Sequence, residues 1–265
     1  MMASTTERGG FPAALHPMQD EPLKSSLALA AGKPPLPVAP PVSSPVFLNP
    51  YEEIAVSRNR LPHWQQDGRT FFVTFRLGDS IPKVRLDEWR EDRETWLRFH
   101  PEPWAPEVER EYIRRFANRL EQWLDELHGS CVLRGGAPQR VLASALAHFE
   151  GERHRHHSWV VMPNHVHALF ALVEGCTLES LLQSWKGFSA REINRATGSS
   201  GPLWQRDYFD RMIRNEEHFW NVARYIRNNP GKARLSPGDY VLFESDLIRE
   251  VLGPRLGEVA FQPPS

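Results

Sequence analysis

The sequence predicts an α+β domain, a mostly antiparallel sheet flanked by helices, and three observations carry that prediction. Two runs rich in β-formers, Arg69–Leu77 (RTFFVTFRL) and His156–Leu172, are separated by a long stretch whose apolar residues recur every three or four positions. The second run is interrupted at Met162-Pro163-Asn164, which reads as a hairpin turn. Further helical and extended segments follow without an internal repeat, an order that suits helices packed on an antiparallel sheet.

The chain of 265 residues suffices for one generous domain or two small ones. Nine of its 23 prolines fall in the first 45 residues, in stretches such as GKPPLPVAPPVSSP. That composition buries too little apolar surface to offset ordering entropy, so residues 1–45 are expected to be a disordered tail. The start lacks the basic and apolar regions of a secretory signal, and no apolar run approaches the roughly 20 residues of a membrane span. One domain is expected over 47–245, with a C-terminal tail over 246–265.

Within the domain, Arg69–Leu77 lies between Asp-Gly and Gly-Asp and reads as a central strand. Leu86–His128 reads as two helices, 84–97 and 106–127, divided at His100-Pro101. Gly135-Gly136-Ala137-Pro138 breaks the chain before a short helix at 139–148. His156–Met162 and Asn164–Leu172 then pair as a hairpin, and Thr177 caps a helix over 178–196. PLWQRDYFDRMIR is irregular or extended. Asn215, with Glu216 and Glu217 at the positive helix end, caps a last helix that Pro230 stops at Asn229.

Lys and Arg number 32 against 33 Asp and Glu, so the protein is no polycation. Between Leu181 and Leu235, however, ten basic residues face five acidic ones, enough for a local phosphate-binding face. Cys131 and Cys176 form neither a disulfide framework nor a CxxC pattern, and a reduced cytoplasmic compartment is the expectation.

The chemistry concentrates in SWVVMPNHVHALF, residues 158–170. On a strand, residues i and i+2 share a face, so His165 and His167 project side by side with Val166 behind them. Paired neutral imidazoles are half of a metal site. On the last helix Tyr225 and Asn229 stand one turn apart. The two histidines and the Asn229 carbonyl oxygen would hold a divalent cation with positions open to phosphate oxygens, and Tyr225 would attack the phosphate. The alternative reading of Asn229, as a helix-terminal residue before proline, carries less weight. Tyr208, in WQRDYFDR, is the rival nucleophile, although only Tyr225 has an amide one turn away.

In its setting VVMPNHVHALF, His165-Val166-His167 resembles the HUH motif (His, hydrophobe, His) of single-tyrosine transposases. LWQRDYFDRMIRNEEHFWNVARYIRNNPGKARL resembles the downstream half of that family, and HWQQDGRTFFVTFRLGDSIP its opening strand. The closest resemblance is to the bacterial REP-associated tyrosine transposases, and these segments cover most of residues 60–240. The resemblance implies the ferredoxin- or RRM-like palm of an HUH endonuclease. It implies His165 and His167 as metal ligands, Asn229 as the third, Tyr225 as nucleophile, and Mg²⁺ or Mn²⁺ as the metal. Its substrate would be single-stranded DNA with an imperfect hairpin, cut to leave a 5′-phosphotyrosine and a free 3′ hydroxyl, by a monomer or homodimer. Gly231 and Arg234 depart from the valine and glycine common in relatives after the Asn-Pro.

Lys186, Arg191, Arg206, Arg211, Arg214, Arg224 and Arg227 are the phosphate-contact candidates, each also readable as a solvated charge. His154, His156 and His157 sit at the far end of the preceding strand and are expected to face solvent or DNA phosphate. Trp185, Trp204 and Trp220 either stack on bases or pack the core. Two other classes remain: a catalytically silent DNA-binding regulator on the same fold, and a metal-dependent phosphodiesterase using water. The histidine-triad hydrolases are excluded, because position 169 is leucine where a third alternate histidine is needed.

Overall fold

The computed structural model describes residues 44–52, 55–58, 62–101 and 104–253. Most of the expected N-terminal tail, residues 1–43, and residues 254–265 lie outside these. A short antiparallel pair, β1 (Ala55–Arg58) and β2 (Pro62–Gln65), precedes the main sheet. That sheet contains β3 (Thr70–Arg76), β4 (His154–Val161), β5 (His165–Leu172), β6 (Phe209–Met212) and β7 (Val241–Glu244). Its spatial order is β6-β3-β5-β4-β7 and every pairing is antiparallel, so the α+β class read from the sequence is the observed one.

β5 occupies the centre and all eight of its residues are buried. It follows β4 through Pro163-Asn164, with the Met162 amide donating to the His165 carbonyl at 2.9 Å. Strand alternation then divides its side chains between two cores. Val166, Ala168, Phe170 and Leu172 join Phe71, Val73, Phe75, Trp159 and Trp185 on one face, beneath α4 (Gly136–Ala147) and α5 (Leu178–Thr197). Leu169 joins Phe72, Val160, Phe219, Val222 and Ile226 on the other, beneath α6 (Glu216–Lys232) and α7 (Asp246–Leu252). A third core, around Trp89, Trp96, Phe116 and Trp123, joins α1 (Lys83–Phe99), α2 (Pro106–Tyr112) and α3 (Asn118–Asp125). Trp185 and Trp204 pack the first core, which settles them as structural; Trp220 lies partly buried beside the second.

The helix starts follow their caps. Thr177 Oγ1 accepts from the Ser180 amide, and Gly198 closes α5 in the left-handed conformation at φ 66°. Asn215 Oδ1 accepts from the His218 amide at 2.8 Å, with Glu216 and Glu217 in the first turn of α6.

Four expectations change. The single helix expected over 106–127 is interrupted by a π-helical turn, Ile113–Ala117, which inserts a residue and rotates the downstream helix by about 100°. Pro230 does not stop α6: the helix runs to Lys232 with Asn229 and Pro230 buried, and the Ala233 amide still reaches the Asn229 carbonyl at 3.1 Å. A proline this near the end forfeits one helical hydrogen bond, and tertiary packing carries the turn. The tail expected from residue 246 begins instead with α7, whose Ile248 is fully buried. Finally, His154, His156 and His157 face neither solvent nor phosphate; all three are buried. A β-bulge between His156 and Ser158 resets the alternation, sending His154 and His156 under Trp185 and His157 against Phe219 on the opposite face.

Candidate active site

His165 and His167 stand on β5 with their Nε2 atoms 3.0 Å apart, both fully buried beneath α6. What each ring does is fixed by its other nitrogen. Asn164 donates its amide hydrogens to the carbonyls of Leu124 and His128, at 3.4 and 3.3 Å. Its Oδ1 is thereby aimed at His165 Nδ1, 2.7 Å away, and can only accept. His165 therefore carries its proton on Nδ1 and leaves a lone pair on Nε2. Thr74 Oγ1, across the β3–β5 pairing from His167, lies 2.8 Å from His167 Nδ1 and can hold that ring in the same tautomer. Burial pushes both imidazoles down, His167 to about 3 and His165 well below its ordinary range, so both stay neutral.

α6 supplies the partners. Tyr225 sits 3.3 Å through its hydroxyl from His167 Nε2, and Asn229 Nδ2 is 3.4 Å from the same atom. The Asn229 Oδ1 is buried and has no hydrogen-bond partner. A half-turn of the amide would bring this orphaned oxygen to where the nitrogen now stands. With the amide so turned, two imidazole lone pairs and a carbonyl oxygen meet beside the Tyr225 hydroxyl, a ligand set that suits a divalent cation, so the residues present fit the metal that the resemblance implies.

The reading from sequence missed the residue that meets Tyr225 most directly. Glu121, on α3, accepts a short hydrogen bond from the Tyr225 hydroxyl and lies 3.4 Å from His167 Nε2. Burial pushes its carboxyl up to about 7, against the lowering effects of the Tyr225 hydrogen bond, Arg211 and Lys232. Burial and the Glu121 carboxylate in turn hold the Tyr225 phenol far above its ordinary value. Asp125, one turn beyond Glu121, is pushed to about 6 by burial and then by the Glu121 charge. Because α6 continues past Pro230, Lys232 falls on the Tyr225 face, its ammonium 4.7 Å from the ring centroid.

Beside this cluster opens a cavity of about 420 Å³ between the α1–α3 helices and the β3–β6 edge, lined by Arg76, Trp89, Arg90, Arg93, Glu121 and Phe209 among others. Three arginines and several aromatic rings share this lining with the carboxylates of Glu94, Glu121 and Asp207; the arginines and rings are the groups that suit phosphates and bases. Polar side chains at 74 and 76, alternating with Val73 and Phe75 on a buried strand, were the available signal in the sequence; nothing marked Arg90 or Arg93.

The candidates named from the basic segment separate. Arg227 forms a two-pronged ion pair with Glu244, both contacts at 2.7 Å, and donates to the carbonyls of Leu252 and Gly253. Its guanidinium holds α6 to β7 and α7, which removes it from the phosphate set. Lys186 Nζ donates to the carbonyls of Gln205 and Arg206 at 2.8 and 2.7 Å and anchors that segment instead. Arg191, Arg206, Arg214 and Arg224 are exposed, and Arg211 lies over Phe209, 4.8 Å from its centroid. Tyr208 packs against the core on the α4–α5 face, and its phenol is raised by burial.

Part of the chain is similar to known proteins. Residues 132–229 match the family model described as "Transposase IS200 like", and this segment carries both histidines, Tyr225 and, as its last residue, Asn229. The resemblance drawn from the sequence thus has a family-model match over this segment. Among particular proteins, the REP-associated tyrosine transposase of Escherichia coli (strain K12) is 27% identical over 96 residues, 35% of this chain and 56% of the relative. An uncharacterized protein of Haemophilus influenzae is 30% identical over 93 residues, 27% of this chain and 52% of its own. The chain therefore spans about half the length of the curated relatives it matches. A solved structure described as a REP-associated tyrosine transposase bound to a REP hairpin aligns at a TM-score of 0.39 and 18% identity, over 66% of this chain and 74% of that one. Among the described residues, no helix is long and apolar enough to cross a membrane.

Proposed function

We propose that this protein nicks and rejoins single-stranded DNA at hairpin-bearing repeats, with Tyr225 as nucleophile. The observation that carries the reading is the convergence of the Tyr225 hydroxyl, two buried imidazoles and the Asn229 carboxamide on one point. The similarity to IS200-like transposases and to a REP-associated relative supports the choice of substrate.

In this reading the Tyr225 oxygen attacks phosphorus and its proton passes to Glu121, whose carboxyl, at about 7, is matched to that task near neutrality. The bond to the 3′ oxygen breaks, the departing oxygen takes a proton from solvent, and Tyr225 is left carrying the 5′ phosphate. Attack by a 3′ hydroxyl on this phosphotyrosine reverses the exchange and joins strands, with Glu121 returning the proton to Tyr225. A divalent cation, Mg²⁺ or Mn²⁺, bound by His165, His167 and Asn229 supplies polarisation and charge neutralisation at the phosphodiester. Arg76, Arg90 and Arg93 bind the backbone phosphates, and Trp89 and Phe209 offer stacking faces to unpaired bases.

The test incubates the full chain with Mn²⁺ and labelled single-stranded hairpins from repeats of its own genome. A covalent adduct mapping to Tyr225, lost in Tyr225→Phe and kept in Tyr208→Phe, is expected. An adduct on Tyr208 reassigns the nucleophile. Cleavage without an adduct indicates a phosphodiesterase using water, and binding without cleavage a silent regulator.

A further inference from the structure

His154 and His156 meet on the opposite face of the sheet from His165 and His167. Their Nε2 atoms are 3.0 Å apart, and each lies 3.0 Å from the Leu146 carbonyl oxygen. Glu150 Oε2 is 3.4 Å from His154 Nε2, and the ligand atoms of Glu150, His154 and His156 all fall within 4.8 Å of one another. Leu146 belongs to the last turn of α4, where carbonyls lack helical partners and the helix dipole is negative. Both oxygens of Glu150 also accept from the His156 amide, at 3.1 and 3.2 Å, which fixes the carboxylate over the pair.

We propose that Glu150, His154 and His156, with the Leu146 carbonyl, form a second divalent-cation site of the Zn²⁺ class. Two imidazoles with one carboxylate suit zinc, whereas Mg²⁺ prefers oxygens throughout. The spacing agrees. A tetrahedral zinc with bonds near 2.05 Å separates its ligand atoms by about 3.3 Å. His154 Nε2 lies 3.0 Å from His156 Nε2 and 3.4 Å from Glu150 Oε2. Glu150 and His156 are held only within 4.8 Å, so the half-exposed carboxylate has to swing toward His156. The site is closed on three sides: His154 is fully buried, His156 is 4% exposed, and Trp185 and Phe170 wall the rings. The Glu150 side chain, 41% exposed, is the entrance. A metal here pins the end of α4 to the start of β4. It performs no step of the DNA chemistry, and the site stands independently of the function proposed above.

The experiment strips the full-length protein with chelator and titrates it with Zn²⁺ alone by calorimetry, using Co²⁺ as a coloured substitute. In the His165→Ala/His167→Ala double variant one equivalent should remain, with the visible absorption of tetrahedral Co²⁺. Adding Glu150→Gln should weaken Zn²⁺ binding at least tenfold without changing the circular dichroism. In the otherwise unmodified chain, Glu150→Gln should remove one equivalent, a readout that does not depend on the double variant folding. A Glu150→Gln protein that binds Zn²⁺ as the parent does, or a folded double variant that binds none, would show that hydrogen bonds to Leu146 alone hold the cluster.

Discussion

The two histidine pairs on this sheet are alike in motif and unlike in what surrounds them. Each is His-x-His on neighbouring antiparallel strands, each is buried, and each brings two Nε2 atoms to 3.0 Å. At His165 and His167 a second polar layer, Asn164 and Thr74, occupies both Nδ1 atoms and turns the Nε2 atoms toward each other, Tyr225 and Asn229. At His154 and His156 the Nδ1 atoms have no hydrogen bond, the walls are aromatic, and a helix-end carbonyl and Glu150 stand in front. The motif alone therefore does not distinguish the pairs. The neighbours do: only the first pair has a hydroxyl, an amide and an acid together, delivered to it by α6 and α3.

The sharpest way to break this contrast is to damage each pair in turn. His167→Ala removes a ligand of the proposed cation, and the charge stabilisation it supports amounts to several kcal/mol, on the order of 10³-fold in adduct formation. Glu150→Gln, on the other face, should leave adduct formation at the parental rate. Equal losses from the two variants, read by single-turnover gel assay, would erase the distinction.

Glu121→Gln comes next. It keeps the shape beside Tyr225 but cannot take the proton, so adduct formation should fall roughly 10²- to 10⁴-fold while binding of the same hairpin, followed by anisotropy, is kept. An unchanged rate would reduce Glu121 to a positioning partner of Tyr225.

Asn164→Ala tests the polar layer itself. It touches neither Tyr225 nor Glu121, but it frees the His165 tautomer, and the Mn²⁺ concentration needed for half-maximal adduct should rise about 10- to 100-fold. The rate at saturating Mn²⁺ should recover. A lowered rate with unchanged Mn²⁺ dependence would place Asn164 in the fold alone.

Legibility in the sequence tracks the range of the forces involved. The β4–β5 hairpin, α5 and the start of α6 rest on local signals, Pro163-Asn164, Thr177 and Asn215, and the structure has them where those residues put them. β7 is four residues long and exists by pairing with β4 across some eighty positions, which no local pattern announces. The continuation of α6 past Pro230 depends on burial of Asn229 and Pro230, and with it Lys232 over the Tyr225 ring went unread. Glu121 is aimed by a π-turn four residues upstream, and one inserted residue is invisible to a count of threes and fours. His154 and His156 share a face by the same alternation as His165 and His167, but their place at the far end of the strand pointed to solvent, and their burial under Trp185 comes from α5, distant in sequence.

His157, the residue at that bulge, belongs to neither pair and gives the smallest and cleanest measurement. It is fully buried against Phe219, neither ring nitrogen has a partner, and burial holds its imidazole down to about 4. A folded-state value below the unfolded one, about 6.5, means that the unfolded chain takes up a proton first as pH falls. The stability from keeping His157 neutral is thus intact above about 6.5 and is lost progressively down to about 4. At pH 5 the loss is about 2 kcal/mol, from about 1.4 kcal/mol per unit over the one and a half units below 6.5. His157→Leu removes the titration and the two unsatisfied nitrogens. Its unfolding free energy, from urea titration, should match or exceed the parent's at pH 7.5 and exceed it by a further amount of about 2 kcal/mol at pH 5. The raised carboxyls, Glu121 and Glu150 near 7 and Asp125 near 6, act in the opposite sense, since the folded state binds their protons first. They are common to both proteins and cancel in the difference. A constant difference at the two pH values would mean that His157 is protonated in the native protein. The face beneath α6 would then be wetter than its burial implies, and the neutral His165 and His167 on which the proposed chemistry rests would lose their main support.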